Sequence, residues 1–135
     1  MKRIATIIVR NNAGDFYVHQ RRSDKKTFPD YYGLGAGGHI EDGETPEEGA
    51  ARELQEETGL TGELKQFFHF EYTNGDESYP VYAFEIQTNQ EPSVAETEWQ
   101  WCGWMSKDEV DALLEENKLC PDTAIFYRKY RTDCI

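Results

Sequence analysis

Residues 38–60 read GHIEDGETPEEGAARELQEETGL, Gly38 through Leu60, and the rest of the chain is best understood outward from them. Thr45-Pro46-Glu47-Glu48 is a helix start. A hydroxyl at the cap and a glutamate three residues on satisfy each other's unpaired backbone donors, and proline sits where its missing N–H costs nothing. The helix is expected to run to Thr58, with Gly59 as its stop. Ala51, Leu54 and Thr58 are expected to face a core. Glu53, Glu56 and Glu57 then fall within an arc of roughly 100°, because side chains three and four residues apart share a face. The segment holds eight acidic residues and one arginine, −7 of a formal net charge of −12. Like charges this close repel by ~0.2–0.5 kcal/mol per pair, and Arg52 can reach Glu48 and Glu56, four residues to either side, without neutralising the whole set. Two readings follow: a solvated acidic helix face, or a set of hard oxygen ligands for a divalent cation such as Mg²⁺ or Mn²⁺.

On the N-terminal side, Arg3 to Val9 is β-branched and apolar, residues 11–15 carry turn chemistry, and Phe16 to Gln20 resumes an extended pattern, which predicts a hairpin. Arg21 to Tyr32 is charged, contains Pro29 and reads as a loop. On the C-terminal side, Phe67 to Tyr72, a turn at Asn74-Gly75 and Tyr79 to Ile86 predict a second hairpin, and Glu98 to Trp104 a further strand. Ser106-Lys107-Asp108-Glu109 repeats the capping device before an apolar stripe of Val110, Leu113 and Leu114. A third helix is expected over Asp122 to Tyr130. Interleaved strands and helices predict an α/β fold, a sheet covered by helices.

The 135 residues, 38% hydrophobic and 13% aromatic, suit one compact domain over 1–135. The balance of 26 acidic against 14 basic residues opposes binding to long nucleic acid or an anionic membrane. A phosphate compound could be held only through bridging cations. The apolar run Ile4 to Val9 is too short for a signal-peptide core and nothing approaches a membrane span, so a cytoplasmic protein is expected. Cys102, Cys120 and Cys134 show neither disulfide nor zinc spacing.

The spacing of Gly38, Glu44 and the run Arg52-Glu53-Leu54-Gln55-Glu56-Glu57-Thr58-Gly59-Leu60 resembles the 23-residue box of the Nudix (MutT-like) hydrolases, with every defining position met. The resemblance implies an α/β/α sandwich with a mixed sheet. It also implies Mg²⁺- or Mn²⁺-dependent hydrolysis of the pyrophosphate linkage in a nucleoside diphosphate joined to another group, such as a nucleoside triphosphate or nucleotide sugar. Metals would reconcile an anionic enzyme with an anionic substrate. Glu53, Glu56 and Glu57 match the family's metal-binding glutamates, one of which would take the proton of the attacking water. Arg52 matches the residue that orients them, Glu44 the leading glutamate, and Gly38 the glycine whose neighbouring carbonyl often serves as a ligand.

Many relatives add a carboxylate from a later loop, for which Glu98, with Glu96 behind it, is the candidate. Arg21, Arg22 and Lys26, with Lys25, could meet phosphate oxygens or simply form a solvated basic loop. Trp99, Trp101, Tyr31, Tyr32 and Phe28 are candidates for stacking on a base or for the core. His19, His39 and His69 lack mutual ligand spacing and read as ordinary. The segment Gln20-Arg21-Arg22-Ser23, Pro29 and Gly37-Gly38-His39 is similar to the Nudix branch containing isopentenyl-diphosphate isomerases, but no cysteine precedes Cys102, which argues against isomerase chemistry. A small-molecule partner is expected and a homodimer is left open. A noncatalytic nucleotide or metal sensor built on the same fold is the alternative, with a plain acidic interaction domain behind it.

Overall fold

The computed structural model describes residues 2–93 and 99–134, the side chain of Cys134 aside. In chain order it contains β1 (Ile4–Arg10), β2 (Phe16–Arg21), β3 (Tyr32–Leu34), β4 (Ala36–His39), α1 (Pro46–Thr58), β5 (Lys65–Asn74), β6 (Glu77–Gln87), β7 (Trp99–Met105), α2 (Lys107–Glu115) and α3 (Pro121–Cys134). The sheet is mixed: β1 runs parallel to β6, while β5 pairs antiparallel with β6, and β3 and β7 antiparallel with β2. Among the described residues no helix is long and apolar enough to cross a membrane.

Strand periodicity produces the layering. Along β1, Ala5, Ile7 and Val9 point to a cluster with Ala50, Leu54, Leu60 and Phe84, under α1. Ile8 points the other way, to Val110, Leu114, Phe126, Tyr127 and Tyr130 under α2 and α3. With both faces of its central strand buried, the chain forms the expected α/β/α sandwich.

Both capping boxes form. Thr45 Oγ1 accepts from Glu48 N at 3.1 Å and Glu48 Oε1 from Thr45 N at 2.8 Å. Gly59, left-handed at φ 72°, closes α1 by donating its N–H to Gln55 O. The core stripe of α1 is Ala50, Leu54 and Thr58, each four residues apart, and Ala51 is exposed, one position round the helix from where it was expected. Glu48 belongs to the cap, and no Glu48–Arg52 pair forms.

Two strands lie outside the sequence reading. β3 and β4 are short and glycine-rich, a composition that disfavours strands, and tertiary pairing creates them. A side chain at Gly35, between them at φ 57°, would collide with the Ile7 carbonyl, so glycine permits the close approach. β1 and β2 are in register at Arg10 and Phe16, while the first half of β1 pairs with β4, Ile4 with His39 through Ile7 with Ala36. Because β2 and β1 share so little ladder, a cleft opens between them, floored by β1 and β4.

Candidate active site

Helix α1 lays its acidic face along β4. Glu53 and Glu57, one turn apart, turn inward to the Gly37-Gly38 backbone, and Glu56 lies toward solvent, its side chain 59% exposed against 17% for Glu53. A Cβ on Gly38 would stand 2.5 and 2.7 Å from the two Glu53 carboxylate oxygens, so only glycine leaves room for them. Glu57 Oε2 accepts the Gly37 N–H at 3.2 Å.

Arg52 organises the outer side of this arrangement. Its Nε and Nη2 donate to the two oxygens of Glu44 at 2.8 and 2.9 Å, a bidentate fork. Its Nη1 donates to Glu53 at 3.0 Å and Glu56 at 3.4 Å, and Nη2 also to the His39 carbonyl at 2.9 Å. Glu44 further accepts the Glu41 N–H at 2.8 Å, and Arg3 binds the Glu41 and Glu44 carbonyls, so the loop before α1 is tied to both β1 and α1. The Arg52 guanidinium, together with the Glu41 N–H, holds the Glu44 carboxyl down at about 2.

Among the described residues no three His, Cys, Asp or Glu side chains converge on one point as a finished cation site. Arg52 draws Glu56 and one oxygen of Glu53 toward itself. The donor chemistry nonetheless suits a hard cation: two carboxylates are packed against a bare glycine backbone, and carboxylate and carbonyl oxygens are the ligand type such a cation takes.

Glu57, Gly37 and Gly38 line a cleft of about 270 Å³ whose other wall is built from His19, Arg21, Gly33 and Trp99, with Cys120, Asp122 and Thr123 from the start of α3. His19 stacks on Trp99, ring centroids 3.9 Å apart and planes inclined by 29°, and its Nδ1 is 3.1 Å from the Gly35 carbonyl. Burial pushes the imidazole down to about 4. Burial also pushes the Cys120 thiol up to about 11, so at neutral pH it stays protonated and is no nucleophile.

Sequence reasoning missed His19, Cys120, Asp122 and Thr123 as cleft residues. Strand parity places His19 on the face opposite Val18, but no sequence signal brings the start of α3 beside β2. Of the basic loop, Arg21 reaches the cleft while its Nε donates to Thr27 O at 3.0 Å. Arg22 instead pairs with Asp24 at 3.1 Å beside a separate hollow, and Lys26 is exposed. Trp101 and Phe28 are exposed, outside the cleft lining. Glu96 and Glu98 lie outside the described residues.

These shifts give stability a defined pH dependence. Between pH 6.5, the ordinary histidine value, and about 4, the unfolded chain protonates His19 and the folded one does not, so stability is full above 6.5 and declines through that window. The Glu44 contribution is present above its ordinary value of 4.5 and is lost as pH falls toward 2. The melting temperature should therefore fall in two acid stages, and His19→Phe should flatten the first. A variant whose profile matches the wild type between pH 6.5 and 4 would refute the assignment.

The chain resembles known proteins in both sequence and fold. A Nudix hydrolase of Listeria monocytogenes, lmo0368, is 28% identical over 122 residues, covering 85% of this chain and 69% of that protein. An isopentenyl-diphosphate Delta-isomerase of Corynebacterium diphtheriae is 43% identical over 53 residues, 39% of this chain and 29% of that one. The solved NUDIX domain of Shewanella oneidensis NrtR, in complex with ADP ribose, superposes with a TM-score of 0.77 at 15% identity, covering 98% of this chain and 88% of that one. The NUDIX domain family model matches residues 1–130, which takes in both walls of the cleft as well as the acidic helix, and the chain therefore belongs to the Nudix hydrolase family.

Proposed function

We propose that this chain is an Mg²⁺- or Mn²⁺-dependent hydrolase that cleaves the pyrophosphate linkage of a nucleoside diphosphate joined to another group. The observation that carries the reading is the packing of Glu53 and Glu57 against the Gly37-Gly38 backbone, which lines the cleft together with Glu57. Glu53, Glu56, Glu57 and the carbonyl beside Gly38 would hold the cation, with Glu98 a further ligand. When bound, a divalent cation supplies charge neutralisation at phosphate oxygens and acidifies a water molecule.

The chain's own residues do the rest. Arg52, clamped by Glu44 and His39, fixes the orientation of Glu53 and shields the glutamates from their mutual repulsion. One of the three box glutamates accepts the proton of the attacking water. Among the basic residues Arg21, which lines the cleft, would meet phosphate oxygens, whereas the Arg22 charge is already engaged by Asp24.

A panel of nucleoside di- and triphosphates, nucleotide sugars, ADP-ribose and dinucleotides, assayed with Mg²⁺ and Mn²⁺ and again with chelator, tests this. The expected result is release of nucleoside monophosphate or phosphate from at least one class, abolished by chelation. Tight, metal-dependent binding without turnover of any member would instead make the chain a sensor.

A further inference from the structure

We propose that His19 is a specificity residue of this cleft, and that its Nε2 accepts a hydrogen bond from a hydroxyl of an uncharged sugar joined to the diphosphate. This rests on the cleft being the hydrolytic site proposed above. Three observations lead to it.

The first is the tautomer. The Gly35 carbonyl can only accept, so the Nδ1 lying 3.1 Å from it carries the ring proton, and Nε2 of the neutral ring is left as a bare acceptor. Burial keeps the ring neutral at physiological pH. Among the described residues no donor is placed on Nε2.

The second is Gly33, opposite His19 in the β2–β3 ladder. A Cβ there would collide with Nε2 and stand 3.1 Å from the adjacent ring carbons. Any side chain at 33 would thus occlude the lone pair, and Gly33 itself lines the cleft. Trp99, stacked on the imidazole, fixes the ring plane, so Nε2 is a preorganised acceptor.

The third is charge. Beyond the cation assigned to Glu57, the lining sets the Arg21 guanidinium against the Asp122 carboxylate, with His19 neutral. A third phosphate would meet a wall with no surplus of positive charge, whereas a sugar brings neutral hydroxyl donors to His19 Nε2 and Asp122.

ADP-ribose and ATP share adenosine diphosphate and differ in carrying a sugar or a phosphate beyond it, so they separate the cases. Wild type, His19→Phe, which keeps a ring against Trp99, and Gly33→Ala, whose methyl cannot coexist with Nε2 in its present place and so forces the His19 ring out of position, are assayed with Mg²⁺ on both compounds. Wild type is expected to favour ADP-ribose in kcat/KM. In both variants that preference should fall about tenfold, the scale of one neutral hydrogen bond, with the change carried by KM. A wild-type preference for ATP, or an equal loss on both compounds as expected if the shared adenosine sits there, overturns the proposal. If neither compound is hydrolysed, calorimetric affinities decide by the same ratio: a preference for ADP-ribose lost in the variants upholds the role of His19 while the hydrolytic reading fails, and absent or equal binding overturns it.

Discussion

Glu57→Gln is expected to lower kcat by about 10²–10⁴-fold, the range seen when a group that moves or holds charge at the reacting centre is neutralised. The substitution keeps the volume and keeps an acceptor for the Gly37 N–H, the 3.2 Å bond that seats residue 57 against β4. The fold should be untouched, with the same circular dichroism and a melting temperature no lower than wild type. The repulsion between Glu57 and its neighbours also falls when one charge is removed, so a slightly higher melting temperature would fit. Near-normal turnover in this variant would remove Glu57 from the chemistry.

Gly38→Ala is the second large effect, and it follows from geometry rather than charge. The added methyl would occupy the space of the Glu53 carboxylate, whose oxygens lie 2.5 and 2.7 Å from the new atom, so that carboxylate must swing away. Displacing a reacting group by about 1 Å costs on the order of 10²-fold in rate, and overpacking costs roughly 1–3 kcal/mol of stability. Because the clash is with the end of a side chain, shortening it should relieve it. The double variant Gly38→Ala with Glu53→Asp should melt higher than Gly38→Ala alone, a non-additivity that marks direct contact. Strictly additive melting shifts would show that the two positions do not touch.

The parts of this molecule legible in the sequence are those where local chemistry decides. Thr45 with Glu48, and Ser106 with Glu109, announced their helices because a capping box is satisfied within four residues. Alternating β-branched residues did the same for β1. The spacing of Glu53 and Glu57 placed both on one face, and Glu44 and Arg52 came with them.

What the sequence hid depends on distant partners. β3 and β4 are strands because β2 and β1 pair with them, against the preference of Gly33, Gly37 and Gly38. The inward turn of Glu53 and Glu57, and the outward one of Glu56, depends on how α1 is rotated over β4, which one residue of error at Ala51 was enough to blur. Arg52 found Glu44 eight residues back, through a loop, where helix spacing pointed to Glu48. His19 looked ordinary because nothing in its own neighbourhood says that Trp99 and the start of α3 will meet it.

On the proposed function, the carboxylates of α1, set against the glycines of β4, hold a divalent cation. Titration of the wild-type protein and of a Glu53→Gln, Glu57→Gln double variant with Mn²⁺, followed by the paramagnetic resonance signal of the free ion, measures this without any substrate. The wild type is expected to remove free Mn²⁺ from solution in a saturable way and the double variant is not; equal uptake by the two proteins, or none by either, would overturn the cation-binding proposal.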